Sequence, residues 1–161
     1  MKKVLFSILA LSLVILSSCG GADPTVFNDA ILKANNDISQ VKLEYDDEVT
    51  KSITDNNYAA IAAATDSALI KIDSELANVQ SLKVPKGGEA FKEASIKTFE
   101  SIRAIVEAGK KFASLTENSS QEDFDKIEKE YNEKEEAYST TFDEMTKAQV
   151  EYAASIGYKV H

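Results

Sequence analysis

Four stretches of the chain repeat apolar residues at alternating three- and four-residue steps, the spacing that lays one face of a helix against its neighbours. The first runs through Phe27, Ile31, Ala34, Ile38, Val41 and Tyr45, and Val49 and Ile53 prolong it. Asp23-Pro24 opens it: an aspartate can accept a hydrogen bond from an orphan N–H, and proline is pre-set for the first helical position. Around Thr54-Asp55-Asn56-Asn57 the pattern lapses among capping residues, which predicts a turn or a sharp bend. A second stripe takes in Tyr58, Ile61, Thr65, Ala68, Ile72, Leu76 and Val79, and its alanine-rich first half suits close approach by another helix. Val84-Pro85-Lys86-Gly87-Gly88 stops it, because proline cannot continue the ladder and glycine admits positive φ.

The third stripe carries Phe91, Ala94, Thr98, Ile102, Ile105, Gly109 and Phe112, widened by Phe99 and Val106. Gly109 within it either opens a pocket or lets two helices close, the second being the commoner use. Ser119 and Glu122 have capping-box spacing. Beyond them Phe124, Tyr131, Tyr138, Met145 and Tyr152 recur every seventh residue, with Phe142 and Ile156 alongside, until Gly157 can cap the end. Glu128 and Glu135 interrupt the flank on which Phe142 and Ile156 lie, so the first half of this helix is expected to be only half covered. The predicted helices span 24–53, 56–83, 89–116 and 120–156, with a tail at 158–161. Strand-like alternation is nowhere sustained. The expected fold is all-α: an elongated, antiparallel up-down-up-down four-helix bundle with coiled-coil-like packing, its helices roughly 40 to 50 Å long.

Ahead of the first stripe, Lys2 and Lys3 precede an apolar run from Val4 to Leu16. That is the length of a signal-peptide core and shorter than the roughly 20 residues a spanning helix needs. Leu16-Ser17-Ser18-Cys19 then resembles the bacterial lipobox, in which the cysteine is diacylated before the signal peptidase cuts in front of it. The resemblance implies a cleaved segment 1–18, signal recognition through Leu16, Ser17 and Ser18, lipidation at Cys19, and a short tether over 19–23. Each buried methylene of the acyl chains adds about 0.8 kcal/mol, so two or three chains anchor the protein durably in a membrane. By resemblance to Gram-negative lipoproteins, Gly20 after the lipidated cysteine points to the outer rather than the inner membrane. Which side of it the body faces stays open, since Asp23 is the sole acid near the anchor.

Charge narrows the partners. The chain has 27 acids and 18 Lys and Arg, a net charge of -9. Loss of residues 1–18 removes Lys2, Lys3 and no acid, which makes the body more acidic still. Such a body is repelled by nucleic acid and, taken as a whole, by anionic head groups. Cys19 is the single cysteine, so no intrachain disulfide forms.

The lipobox, the four helices and the Pro-Lys-Gly-Gly turn running into Phe91-Lys92-Glu93-Ala94-Ser95-Ile96 together resemble a group of bacterial surface lipoproteins known from spirochaetes and Bacteroidetes. That group has no settled activity, and the resemblance implies only a lipid-anchored surface protein.

Catalytic chemistry finds few candidates. The one histidine, His161, lies in the C-terminal tail, too few for the paired Glu-x-x-His of di-iron bundles, and zinc or haem ligand sets are missing too. No glycine-rich phosphate loop occurs. A glycosidase could use carboxylates alone, but the chain has no Trp to serve as a sugar platform. No enzyme, cofactor or metal is therefore expected. Glu128, Glu130, Glu133, Glu135 and Glu136 form a possible partner face, against the plainer reading of a solvated helix. Asp46-Asp47-Glu48 invites the same pair of readings. Tyr131, Tyr138 and Tyr152 form a possible ligand groove, although tyrosines at bundle edges usually bury the ring and wet the oxygen. The expectation is a non-enzymatic interaction or structural module of the bacterial envelope, bound to the membrane through Cys19 and to an envelope protein. The alternative is a bundle that holds a small apolar or amphipathic ligand.

Overall fold

The computed structural model describes residues 22–157, so Leu16, Ser17, Ser18 and Cys19 lie outside the described residues. Four α-helices pack against one another: α1 (Pro24–Thr54), α2 (Ala59–Ser81), α3 (Glu89–Gly109) and α4 (Gln121–Ser155). Short connections make each helix antiparallel to the next, as in an up-down-up-down bundle. Strands are absent among the described residues. No helix among them is long and apolar enough to cross a membrane.

Helix starts follow local chemistry. The Asp23 carboxylate accepts from Thr25 N at 2.8 Å, and Pro24 occupies the first turn. The capping box of α4 lies one residue later than the sequence suggests: Ser120, not Ser119, accepts from Asp123 N, and the Asp123 carboxylate accepts from Ser120 N at 3.1 Å. Ser119 instead accepts from Thr116 N and closes the preceding turn. Hydrogen bonds from Ser120 hold the Asp123 carboxyl below its ordinary range.

Helix ends depart more from the pattern. α1 and α2 are separated by a true turn in which Asn56 takes φ 54°, a left-handed conformation that asparagine tolerates. The turn extends the break, so α2 starts at Ala59, three residues past the expected start. α3 is α-helical only to Gly109 and tightens into a 3-10 helix over Lys110–Ser114, a common way to finish a helix. Gly87, at φ 84°, reverses the chain between α2 and α3. Lys92 Nζ reaches back to the carbonyls of Gln80 and Leu82 at 2.7 and 2.8 Å and satisfies the end of α2.

The expected stripes form the core. Ile31, Ile38, Ile61, Ile72, Phe99 and Ile102 are wholly buried. An aromatic cluster closes each end: Phe27, Phe91 and Tyr152 at one, with centroids 5.6 to 6.1 Å apart, and Phe112, Phe124 and Tyr131 at the other. At Gly109 the Tyr45 side chain of α1 packs directly onto the α3 backbone, and an added Cβ would lie 2.3 Å from its hydroxyl. Close packing, not a pocket, therefore explains that glycine.

Candidate functional site

The packing is uneven around the bundle, and that unevenness creates the most distinctive site. α4 packs its backbone closely against α3 and barely against α1. Along the wider α1–α4 seam, polar side chains span the gap in one constant antiparallel register. Gln149 donates to Asn28 Oδ1 at 3.3 Å, Lys42 pairs with Glu135 at 2.7 Å, and Tyr131 donates to Asp46 Oδ1 at 2.7 Å.

Lys42 is the hub. Its side chain is only 14% exposed, and its ammonium also contacts Asp46 at 2.7 Å. Burial works against that charge, but Asp46 and Glu135 together outweigh it and hold the ammonium above its usual range. Burial, with the Asp46 carboxylate beside it, pushes the Tyr131 phenol far up, so it stays a neutral donor. One seven-residue step toward the start of α1, Asn35 Oδ1 and Ser39 Oγ are buried with no hydrogen-bond partner among the described residues. The seam is thus fully paired at the Lys42 level and under-paired at the next.

The five α4 acids do not share one environment. Glu135 is drawn into the seam by Lys42, and Glu130 is held by Lys111 of the 3-10 helix, which keeps its carboxyl below the usual range. Glu128, Glu133 and Glu136 are exposed, with Glu133 only 4.0 Å from Lys129 on the same helix. Asp46 belongs to the seam, while Asp47 and Glu48 are exposed. Arg103 pairs with Asp73 at 2.7 Å and Glu107 at 2.6 Å.

The three tyrosines serve different places. Tyr131 is bonded to Asp46, and the Tyr138 ring lies 5.9 Å from that of Phe142. Tyr152 is buried in the terminal aromatic cluster, its hydroxyl 3.5 Å from Pro24 O. Two clefts lie away from these tyrosines. One of about 140 Å³ lies between α1 and α2 beside Val41, Tyr45 and Lys71, and one of about 340 Å³ between α3 and α4 beside Ser101, Lys134 and Thr141. Among the described residues no group of three or more His, Cys, Asp or Glu is placed to hold a metal.

Asn28, Asn35, Ser39 and Lys42 were invisible as a set to apolar periodicity, because they carry no apolar signal. The signal that could have found them is a pair of seven-residue steps on the flank of the α1 stripe, 28, 35, 42 and 39, 46, the first matched by 149, 142, 135 on α4. No family model, curated protein or solved structure matches this chain.

Proposed function

We propose that this protein is a lipid-anchored bacterial envelope or surface protein whose helical body acts as a non-enzymatic interaction or structural module. One observation carries the reading: Leu16-Ser17-Ser18-Cys19 stands only four residues ahead of Asp23, the cap of a four-helix bundle. A segment of that chemistry delivers a cysteine for acylation, and two or more acyl chains hold a body at a bilayer. Gly20 favours the outer membrane, on either of its sides. The first half of α4 supplies the presentation surface. Glu130 and Glu135 pair the helix with the body while Glu128, Glu133 and Glu136 are exposed, an acidic face suited to a basic envelope protein.

The ligand-bundle alternative has less support. The hydroxyls of Tyr131 and Tyr152 face Asp46 and Pro24 O within the bundle, and neither described cleft is lined by these tyrosines.

Metabolic labelling with a fatty acid tests the anchor: the wild-type protein incorporates label and Cys19→Ala does not. Label retained by Cys19→Ala would rule the reading out. Cross-linking in intact cells tests the face: a specific envelope protein is captured by wild type and lost from a Glu128→Lys, Glu133→Lys, Glu136→Lys variant. Capture that is indifferent to the triple variant removes this face from the proposal.

A further inference from the structure

α2 turns an uncharged face to solvent. Ile72 and Leu76 are buried in the core, while Ala63, Ser67, Ile70, Ser74, Ala77 and Ser81 form an exposed stripe on the opposite side of the helix. The other helices expose charge, as at Asp47 on α1, Glu100 on α3 and Glu136 on α4. Ile70 stands in the middle of the stripe at 72% exposure, more than any other large apolar side chain among the described residues. The stripe advances by alternating four- and three-residue steps, the spacing of a two-helix seam. In heptad terms Ala63, Ile70 and Ala77 take position d and Ser67, Ser74 and Ser81 position a, which leaves Asp66 and Asp73 at g and Lys71 and Asn78 at e. Asp66 and Asp73 are already balanced by Lys110 and Arg103 of their own body, each at 2.7 Å, so this flank does not repel a second acidic chain as the rest of the surface does.

We propose that the outward face of α2 docks a second copy of this chain, in a parallel, in-register pair with Ile70 against the partner's Ile70. Charge selects the sense. Parallel helices bring g to the e of the partner's next heptad, here Asp66 to the partner's Lys71 and Asp73 to the partner's Asn78. An antiparallel pair would bring g to g and e to e, setting Asp66 against the partner's Asp73 and Lys71 against the partner's Lys71. Alanine and serine at the other seam positions let the two backbones approach. Assembly on a membrane rests on acylation at Cys19. In the parallel pair both tethers leave from the same end, and with about 14 Å of chain from Cys19 to Asp23 both can reach one bilayer. From Ala63 to Ser81 the face is about 27 Å long, and a single helix face of that length covers less than the roughly 800 Å² per partner of a standard interface. The pair is therefore weak in free solution and forms where acyl chains confine the copies to one surface at high effective concentration.

The test uses the full acylated chain in vesicles of phosphatidylethanolamine and phosphatidylglycerol. Cys19 is the single native cysteine and acylation consumes its sulfur, so one added cysteine is the only free thiol. Under mild oxidation Ala63→Cys and Ala77→Cys are each expected to give a disulfide-linked dimer, and Asn36→Cys, exposed on α1, only background. An antiparallel pair would join position 63 to 77, and neither single variant would cross-link to its own copy. Ile70→Lys, added to Ala63→Cys, sets two ammonium groups against each other at the centre of the seam and is expected to lower the dimer yield by about tenfold or more. Ile70 is exposed, so the bundle stays folded, which circular dichroism checks. Yields at 63 and 77 no higher than at 36, or a yield at 63 indifferent to Ile70→Lys, overturn the pairing. Vesicle flotation separates this failure from that of the anchor: a chain that floats without cross-linking loses the pairing alone, one that neither floats nor cross-links loses both, and one that cross-links without floating keeps the pairing and loses the anchor.

Discussion

Tyr45 is the side chain on which α1, α2 and α3 converge. Its hydroxyl donates to Val106 O at 3.1 Å and lies 3.2 Å from Thr65 Oγ1, while Thr65 donates to Ile61 O. Tyr45→Phe keeps the ring and removes the hydroxyl's contacts with Val106 O and Thr65 Oγ1, at a cost of about 1 kcal/mol that urea denaturation reads as a lower midpoint. Gly109→Ala drives a methyl into that hydroxyl and costs more, about 1 to 3 kcal/mol. Ser39→Ala acts in the other direction. It removes a buried hydroxyl with no partner and substitutes a better helix former, and is expected to raise stability by about 0.5 to 1 kcal/mol. Alkaline pH provides a further check. Burial pushes Tyr45 and Tyr152 each up to about 12. A pKa raised on folding means that the neutral phenol is the form the fold favours, so its contribution is complete below pH 10 and is lost as pH rises toward 12. Lys42, raised in the same sense, adds to that loss. Circular dichroism against pH should show unfolding set in across this window, and a flat signal through pH 12 would contradict the burial of these phenols.

Within the elements, α4 is divided against itself. Phe124, Ile127, Tyr131, Tyr138 and Phe142 are only half-buried, whereas Met145, Tyr152 and Ala153 are buried. Long polar side chains rather than a close helix–helix interface hold its first half to α1, so that half opens at lower free energy. Hydrogen exchange should find amides of residues 124–135 exchanging faster than those of 145–153. Uniform protection along α4 would mean that the seam is as strong as the core. Ser120→Ala, which removes the capping box, costs about 1 kcal/mol and should accelerate exchange most in the first turns of α4.

Across the whole molecule, the Lys42 cluster ties α1 to α4, whose backbones pack far less closely than those of α3 and α4. Lys42→Ala leaves Asp46 and Glu135 facing one another without their cation, at a cost of about 1 to 3 kcal/mol. Pairing it with Glu135→Gln should recover part of that loss, and a double-mutant cycle in urea measures the coupling. The same uneven packing leaves Glu128, Glu133 and Glu136 of α4 outward.

Helix number, type and core faces were legible in the sequence because amphipathic spacing is a local property: Phe27 to Tyr45, Ile61 to Val79 and Phe91 to Phe112 each declare a face regardless of what covers it. The lipobox resemblance is local in the same way, a string of residues whose meaning does not depend on the fold. Tertiary structure alone decided which helices pack closely and which are spanned by side chains, because that depends on matching faces 85 to 121 residues apart in the chain. Asn28 meets Gln149 and Asp46 meets Tyr131 only once α1 and α4 settle into register. Polar residues of this kind leave no periodic apolar trace, and the acids of α4 could be sorted into held and free only when Lys42 and Lys111 had found their partners in three dimensions.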